Sequence, residues 1–299
     1  NPKTGKTVKR FVDFNQGLDA MFLTEAKAKR LGEIALRPAR VAFDHIEDRD
    51  IYERALRLCA KNGITELSNY VLYNSEDFGG KGKKYHADTP ADLYDRMKIT
   101  LDLLDELNAE YGKEQRIAAF SFPMRYIPLS AHERGYVGSQ WNAKFLRAVQ
   151  RMLVPTQGKG VCSRSFFEAD FGKNADDFVR FLSMPEKLIA ARGKISTTSR
   201  GKASETEEQF AIRKAEWERD QKKIQIWNSL YAQLGDEQED FINLIGDNQY
   251  LPEKVLGIAS TIQRKLYILY LTTPRLVALP GMIDKNSPTY AMVKAFIIE

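Results

Sequence analysis

Short apolar runs alternate with longer stretches of helical spacing over roughly the first 130 residues. Four runs are strand candidates: residues 8–15, Arg40 to Asp44, Glu66 to Tyr73, and Ile117 to Phe122. Each is nearly continuously apolar, as a strand covered by helices must be. Each also runs into polar residues at its carboxyl end. Helix signals fill the gaps. Thr24 is a candidate N-cap, Glu25 follows in the first turn, and the pattern persists to Ile34 before Pro38 stops it. Glu47, Asp48 and Asp50 suit the start of a helix that runs to Lys61 and closes at Asn62-Gly63. Thr89-Pro90-Ala91-Asp92 opens the clearest helix, with Leu93, Met97, Leu101 and Leu104 as its buried stripe and Asn108 in line with them.

Strand and helix in alternation, with short links, predict parallel strands joined by right-handed crossovers. Their carboxyl ends then share one rim. From about Gln140 the strand signal stops. Helices are expected over Trp141–Leu153, residues 175–182, Leu256–Leu271 and Tyr290–Ile298. Phe210, Trp217, Ile224 and Tyr231 recur every seven residues, with Trp227 and Leu234 beside them, and predict one long helix. Residues 192–205, rich in Ser, Thr, Gly and Lys, read as a linker or mobile loop. The expected fold class is therefore α/β: a partial (β/α) TIM-like barrel with parallel strands over residues 1–139, then an all-α region over 140–299.

Composition narrows the function classes. The chain is 43% hydrophobic and 28% charged, ordinary for a globular protein. The most apolar stretch, Lys265 to Ile283, is interrupted by Pro274, Arg275 and Pro280, which argues against a membrane span. The net charge of +5 resides in residues 1–40, where nine Lys/Arg face four Asp/Glu; elsewhere 36 of each sign cancel. Such a small local excess fits solvated helix faces and does not indicate nucleic acid. Cys59 and Cys162 have no metal or redox spacing, which points to a reducing compartment, the cytoplasm. Cys59 reads as a packed core thiol.

The candidate chemistry lies at the strand ends. Asn15, Gln16, Asp19, Asp44, His45, Asn69, Asn74, Arg125 and Tyr126 are expected to converge there. Carboxamides and carboxylates so placed can hold an amino-acid moiety or ribose hydroxyls, and an arginine can grip a carboxylate with two bonds. His45 is a candidate acid or base. His86 and His132 are expected at the surface. Gly5-Lys6-Thr7 ends a P-loop-like pattern, but a strand follows it where a P-loop needs a helix. The glycine- and lysine-rich stretch Phe78 to His86 reads as a mobile surface loop; a phosphate cradle or a lid over the substrate are its functional alternatives.

Four strings carry a family resemblance: Asp13-Phe14-Asn15-Gln16-Gly17-Leu18-Asp19-Ala20, Arg37-Pro38-Ala39-Arg40-Val41-Ala42-Phe43-Asp44, Leu67-Ser68-Asn69-Tyr70-Val71-Leu72-Tyr73-Asn74, and Phe122-Pro123-Met124-Arg125-Tyr126-Ile127-Pro128-Leu129. In this order they resemble strands three to six of radical S-adenosylmethionine (radical SAM) enzymes, over residues 8–130. Residues 132–190, with Tyr136-Val137-Gly138, Trp141-Asn142, Gly158-Lys159-Gly160 and Phe166-Phe167-Glu168, are similar to the tail of one branch. The resemblance implies a six-strand open barrel and a [4Fe–4S] cluster that cleaves SAM reductively. The resulting 5′-deoxyadenosyl radical takes hydrogen from a substrate of unknown identity. It also implies an electron donor such as a flavodoxin or ferredoxin. Carried over by position, Gln16 and Asp19 would lie near the methionine moiety and Asp44 near the ribose, with Asn15 also among the cofactor-binding residues. Asn69, Tyr73, Asn74, Met124, Arg125 and Tyr126 would lie beside the adenine. The family's Gly-x-Ile-x-Gly-x-x-Glu pattern at its fifth strand is replaced here by Asn69-Tyr70-Val71-Leu72-Tyr73-Asn74. The Cys-x-x-x-Cys-x-x-Cys cluster loop is absent, and the sequence begins almost inside a strand without Met. The expectation is thus a piece lacking its cluster-holding end, inactive alone and with an unpaired edge on its first strand.

Two rival readings remain open at this level. One is a barrel hydrolase that pairs carboxylates such as Asp44, Glu66 or Asp77. The other is a non-enzymatic helical binding module with Trp217, Trp227 and Tyr231 as its partner face.

Overall fold

The computed structural model describes residues 10–80, 82–112, 116–130, 135–158, 160–195 and 205–298. Gly5-Lys6-Thr7, His132 and most of the 192–205 stretch lie outside these. The chain forms two compact units, one of residues 1–141 with 153–178, the other of 142–152 with 179–299. The expected single cut near residue 140 thus falls where the chain first leaves unit one, and residues 153–178 return to it.

The first unit is built on β/α alternation. Helix α1 (Glu25–Gly32) is capped by the Thr24 hydroxyl, which accepts from the Lys27 N–H. Strand β1 (Ala39–Arg40) leads to α2 (Arg49–Lys61), then β2 (Glu66–Tyr73). Gly63 follows α2 with φ of 77°, the left-handed conformation that glycine adopts without strain. A hairpin, β3 (Phe78–Gly80) and β4 (Lys83–Tyr85), precedes α3 (Pro90–Tyr111) and β5 (Ala118–Arg125). Helix α3 begins in a full capping box between Thr89 and Asp92, with Pro90 at its first position.

Strands β1, β2 and β5 form one parallel sheet whose spatial order follows the chain. The described residues thus give an open three-stranded sheet, not the four barrel strands expected. The missing strand is the first. The backbone of residues 10–18 pairs with its neighbours through isolated parallel bridges, Val12 with Leu36 and Leu18 with Val41, and forms no ladder. Between them the chain turns: the Gly17 N–H bonds the Phe14 carbonyl at 2.8 Å, and Gly17 has φ of 85°. That turn breaks the extended run a ladder needs. The backbone bonds of residues 12–18 run to residues 35–41 or within the segment.

Strand β2 has the expected limits, whereas β5 passes through Pro123 to Arg125. Proline is tolerated because β5 is the outer strand and its odd residues point their N–H groups outward. Ser121 shows this, donating at 2.9 Å to the Val161 carbonyl. The close return of the chain there also requires Gly160, since a Cβ would lie 2.4 Å from the Ser121 carbonyl oxygen.

Alternation assigns the faces. Val41, Phe43, Leu67, Asn69, Val71 and Tyr73 are buried on the face that α2 and α3 cover. Tyr52 of α2 stacks on Phe43 at 4.3 Å and shares a 3.0 Å hydrogen bond with Thr100 of α3. Arg40, Tyr70 and Phe122 occupy the opposite face, where Arg40 bonds Asp13 through two 2.8 Å contacts and donates to the Tyr70 hydroxyl at 3.1 Å.

The remaining helices are α4 (Ala143–Leu153), α5 (Arg164–Phe171), α6 (Ala175–Ser183), α7 (Glu186–Ala191), α8 (Glu207–Ala232), α9 (Gln238–Ile245), α10 (Lys254–Gly257), α11 (Thr261–Ile268), α12 (Thr273–Ala278) and α13 (Pro288–Ile298). The second unit is helical, with an aromatic core: Trp227 stacks on Tyr231 at 4.7 Å, and Tyr250 lies 4.8 Å from Tyr270. Of the partner face in the binding-module reading, Trp227 and Tyr231 are buried core residues, while Trp217 is half-buried with its indole donating to the Gly193 carbonyl at 3.0 Å. The helix expected over Leu256–Leu271 breaks into α10 and α11, because Ser260 caps a new start, accepting from the Gln263 N–H. No helix among the described residues is long and apolar enough to cross a membrane.

Candidate functional site

Gln16, Asp19 and Asp44, dispersed in sequence, line one cavity of about 390 Å³ at the carboxyl ends of the parallel strands. His45, Asp48, Tyr52, Tyr70 and Tyr85 complete its walls. The fold places each for a local reason. Gln16 and Asp19 flank the Gly17 turn, and Asp19 caps a short 3-10 turn by accepting from the Met21 N–H at 2.9 Å. Asp44 ends the extended chain that follows β1, held in register by the Phe43 N–H on the Tyr70 carbonyl at 2.9 Å. Tyr70 rises from the open face of β2, and Tyr85 enters from the hairpin.

Burial shapes the electrostatics. It raises the Asp44 carboxyl above its ordinary value, opposed first by the Arg96 charge and also by a backbone bond from Leu72. It lowers His45, opposed by Asp44, so the imidazole is neutral near neutral pH. His45 is sandwiched against the hairpin, 4.1 Å from Tyr85 and 6.4 Å from Phe78 between ring centroids. The segment expected to be a mobile loop is thus a hairpin pinned by aromatic stacking, and Lys83 anchors it to Asp48 at 2.6 Å.

Beneath the cavity lies fully buried Arg96 of α3, which composition and motifs did not single out. Its guanidinium donates to the main-chain carbonyls of Phe43 (3.1 Å), Leu72 (2.7 Å), Asp44 and Asp92 (3.1 Å), and pairs with Asp88. It therefore ties the extended chain after β1 and the end of β2 to α3, the helix that leads on to β5. A signal existed: Arg96 sits at i+3 from Leu93, within the buried stripe.

The other predicted residues are not in this cavity. Asn69 lies on the helix-covered face, its amide donating to Thr100 at 3.2 Å. Tyr73 is on the same face, packed 5.2 Å from the Trp141 ring. Asn74, at φ of 76°, spends its polar atoms internally. Its N–H donates to Asp88 at 2.9 Å, its amide nitrogen to the Tyr126 carbonyl at 3.1 Å, and its amide oxygen accepts from Gly138 at 2.7 Å. Arg125 bonds the Tyr136 carbonyl, and Tyr126 meets Tyr136 edge to face at 6.0 Å. Met124 is exposed, and Asn15 does not line the cavity. Nor do the hydrolase carboxylates meet. Glu66, paired with Arg37, opens β2 at its amino end, about 20 Å of strand from Tyr73. Asp77 accepts the Ala87 N–H at 2.6 Å.

The chain's own residues do not fit an iron–sulfur cluster. Such a cluster needs a set of thiolates. Cys59 is sealed in α2, its thiol pushed up to about 12 by burial, and Cys162 is the single exposed thiol. Among the described residues no His, Cys, Asp and Glu group is placed to hold a metal ion. A larger, mainly apolar depression of about 630 Å³ against α1 is lined by Phe22, Leu31 and Ile34, with Asp19, Lys27 and Arg30 as its charged members; of the predicted site residues it holds Asp19 alone.

Comparison with known proteins gives no match: no family model, no curated protein and no solved structure is significantly similar to the chain.

Proposed function

We propose that this chain is the SAM-binding portion of a radical SAM enzyme, and that the cavity beneath the hairpin holds the ligand. The reading rests on one observation above all. Three residues assigned to SAM by the resemblance, Gln16, Asp19 and Asp44, line one cavity at the carboxyl rim of a parallel sheet. Asp44 is suited to accept hydrogen bonds from ribose hydroxyls, and Gln16 to orient the amino-acid end. Phe11, Val12 and Phe14, each about two-fifths exposed along the segment beside β1, are consistent with further strands adding there and curving the sheet into a barrel. Asn74 and Asn69 have no part in this reading. Reductive cleavage of SAM needs a cluster whose ligands this chain does not supply, so the role derived for its residues is binding.

Titration calorimetry with SAM tests the proposal on this chain. Saturable binding is expected, weakened at least about tenfold by Asp44→Asn, since a lost charge-assisted bond is worth about 1.5–3 kcal/mol. Glu66→Gln, at the opposite end of β2, should leave it unchanged. Absence of saturable binding, or equal affinity in Asp44→Asn, refutes the site.

A further inference from the structure

The hairpin next to the cavity ends in a histidine held between two carboxylates from different elements. The His86 Nδ1 is 2.8 Å from Glu47, in the 3-10 turn after β1, and its Nε2 is 2.9 Å from Asp92, in the first turn of α3. The His86 backbone N–H also donates to Glu47 at 3.0 Å. Its neighbour Tyr85 is a wall of the cavity. We propose that His86 is a protonation-controlled latch that holds the β3–β4 hairpin closed beside the cavity.

The chemistry of imidazole carries the argument. Protonated, both ring nitrogens donate, and both carboxylates are satisfied. Neutral, the ring has one N–H, so one carboxylate must face a lone pair. Other titratable groups lie beside the hairpin, among them His45, stacked on Tyr85 and lowered by burial, and Asp88, which burial lifts to about 6 against Arg96; following the His86 ring itself separates its titration from theirs. Asp48 pairs with Lys83 and takes the Tyr85 hydroxyl at 3.4 Å; Asp77 holds the Ala87 N–H; Asp88 faces Arg96. Asp92 also accepts from Thr89 at 2.8 and 2.6 Å, which fixes it in place as a partner. His86 is half exposed, so protons reach it freely. Its bond to Asp92, then the Asp92 and Glu47 charges, raise its pKa above 6.5. A histidine raised in the closed state stabilises that state fully at low pH, and the stabilisation is lost as pH rises through the raised value. For each unit of elevation, the closed-to-open ratio falls about tenfold across the titration.

The consequence for ligand exchange rests on the SAM-site reading, but the latch is measured on the ligand-free chain, so the two can fail separately. Hydrogen exchange of peptide 78–86, corrected for intrinsic rates, is followed by mass spectrometry from about pH 5.5 to 8.5, with peptide 66–73 as the core control. An NMR titration of the His86 ring gives its pKa. Wild type should open about tenfold more at high pH per unit of elevation, while peptide 66–73 stays protected. His86→Gln should exchange at the high-pH wild-type level throughout. Glu47→Gln, which keeps the imidazole, should lower the His86 pKa, and decides the matter if His86→Gln loses core protection. A wild-type His86 pKa at or below about 6.5, exchange of 78–86 in His86→Gln that tracks wild type at every pH, or an unmoved pKa in Glu47→Gln overturns the proposal.

Discussion

Replacing Arg96 by Met should damage the first unit more than most single changes in it. The side chain is fully buried and serves four carbonyls and one carboxylate. Without it, Asp88 stays buried with only the Asn74 N–H and the Trp141 indole, at 2.9 and 3.2 Å, to face its charge. Removing one partner of a buried ion pair costs about 3–5 kcal/mol, and stranded carbonyls add to that, so a loss on the order of 5 kcal/mol is expected. The loss should depend on pH. Burial already lifts Asp88 to about 6 with Arg96 opposing it, so removing the guanidinium drives it higher. A carboxyl raised in the fold binds its proton more tightly there than in the unfolded chain. Its penalty is therefore smallest below the unfolded pKa of about 3.9 and grows as pH rises through the folded value. Adding Asp88→Asn should abolish that dependence and recover part of the stability. Native-state hydrogen exchange of the slowest β2 and β5 amides reads this unit without assuming that both units unfold together. A loss under about 1 kcal/mol, or one that does not change with pH, would refute the view that this guanidinium fastens the strand ends.

In the second unit, Lys144 is fully buried, its ammonium donating to the Leu182 carbonyl at 2.9 Å, and burial depresses it to about 7. Between that value and about 10.5 the unfolded chain binds the extra proton, so stability should rise with pH, by about 2 kcal/mol from pH 7 to pH 9. Lys144→Met should remove this slope in denaturant melts; an unchanged slope counts against it. Cys59 is buried and Cys162 exposed. Intact mass after native alkylation should show one adduct, at Cys162, with the second appearing only in denaturant; native modification of Cys59 would show that α2 opens readily.

What was legible in the sequence followed from local rules. Thr89, Pro90 and Asp92 announced α3, and the limits of β2 were exact because turn residues bound a strongly apolar run. The first strand failed because Gly17 admits a turn that apolar patterning does not register. The hairpin was missed because its glycines and lysines hide a pairing made by Phe78 and Tyr85 across the strands. The resemblance puts Asn69 and Tyr73 together with Asn74 beside one ligand, whereas alternation along β2 turns both toward α3. Arg96 escaped notice because a stripe read by its apolar members skips the one charged residue inside it.

These misses share a physical cause that also separates the two halves of the rim. A polar residue at a strand end can face a ligand only if the fold leaves its hydrogen-bonding capacity unspent. Around β2 and β5 it is spent: Asn74 ties Asp88, Tyr126 and Gly138 together, and Glu76 accepts from the Tyr136 hydroxyl at 2.7 Å and from Ser139 at 2.9 and 2.6 Å. Gly138 approaches so closely that a Cβ would lie 2.8 Å from the Asn74 carbonyl oxygen, leaving no room for a guest. Around β1 the balance differs. Arg96 satisfies the main-chain carbonyls from beneath, and the Asp44 carboxyl, which takes one backbone bond from Leu72, lines the cavity together with the Gln16 amide. A ligand is therefore expected on the β1 side of the rim, with Tyr70 and Tyr85 as its apolar walls. On the SAM-binding reading proposed above, the adenine would then sit on the β1 side and not beside Asn69 to Asn74.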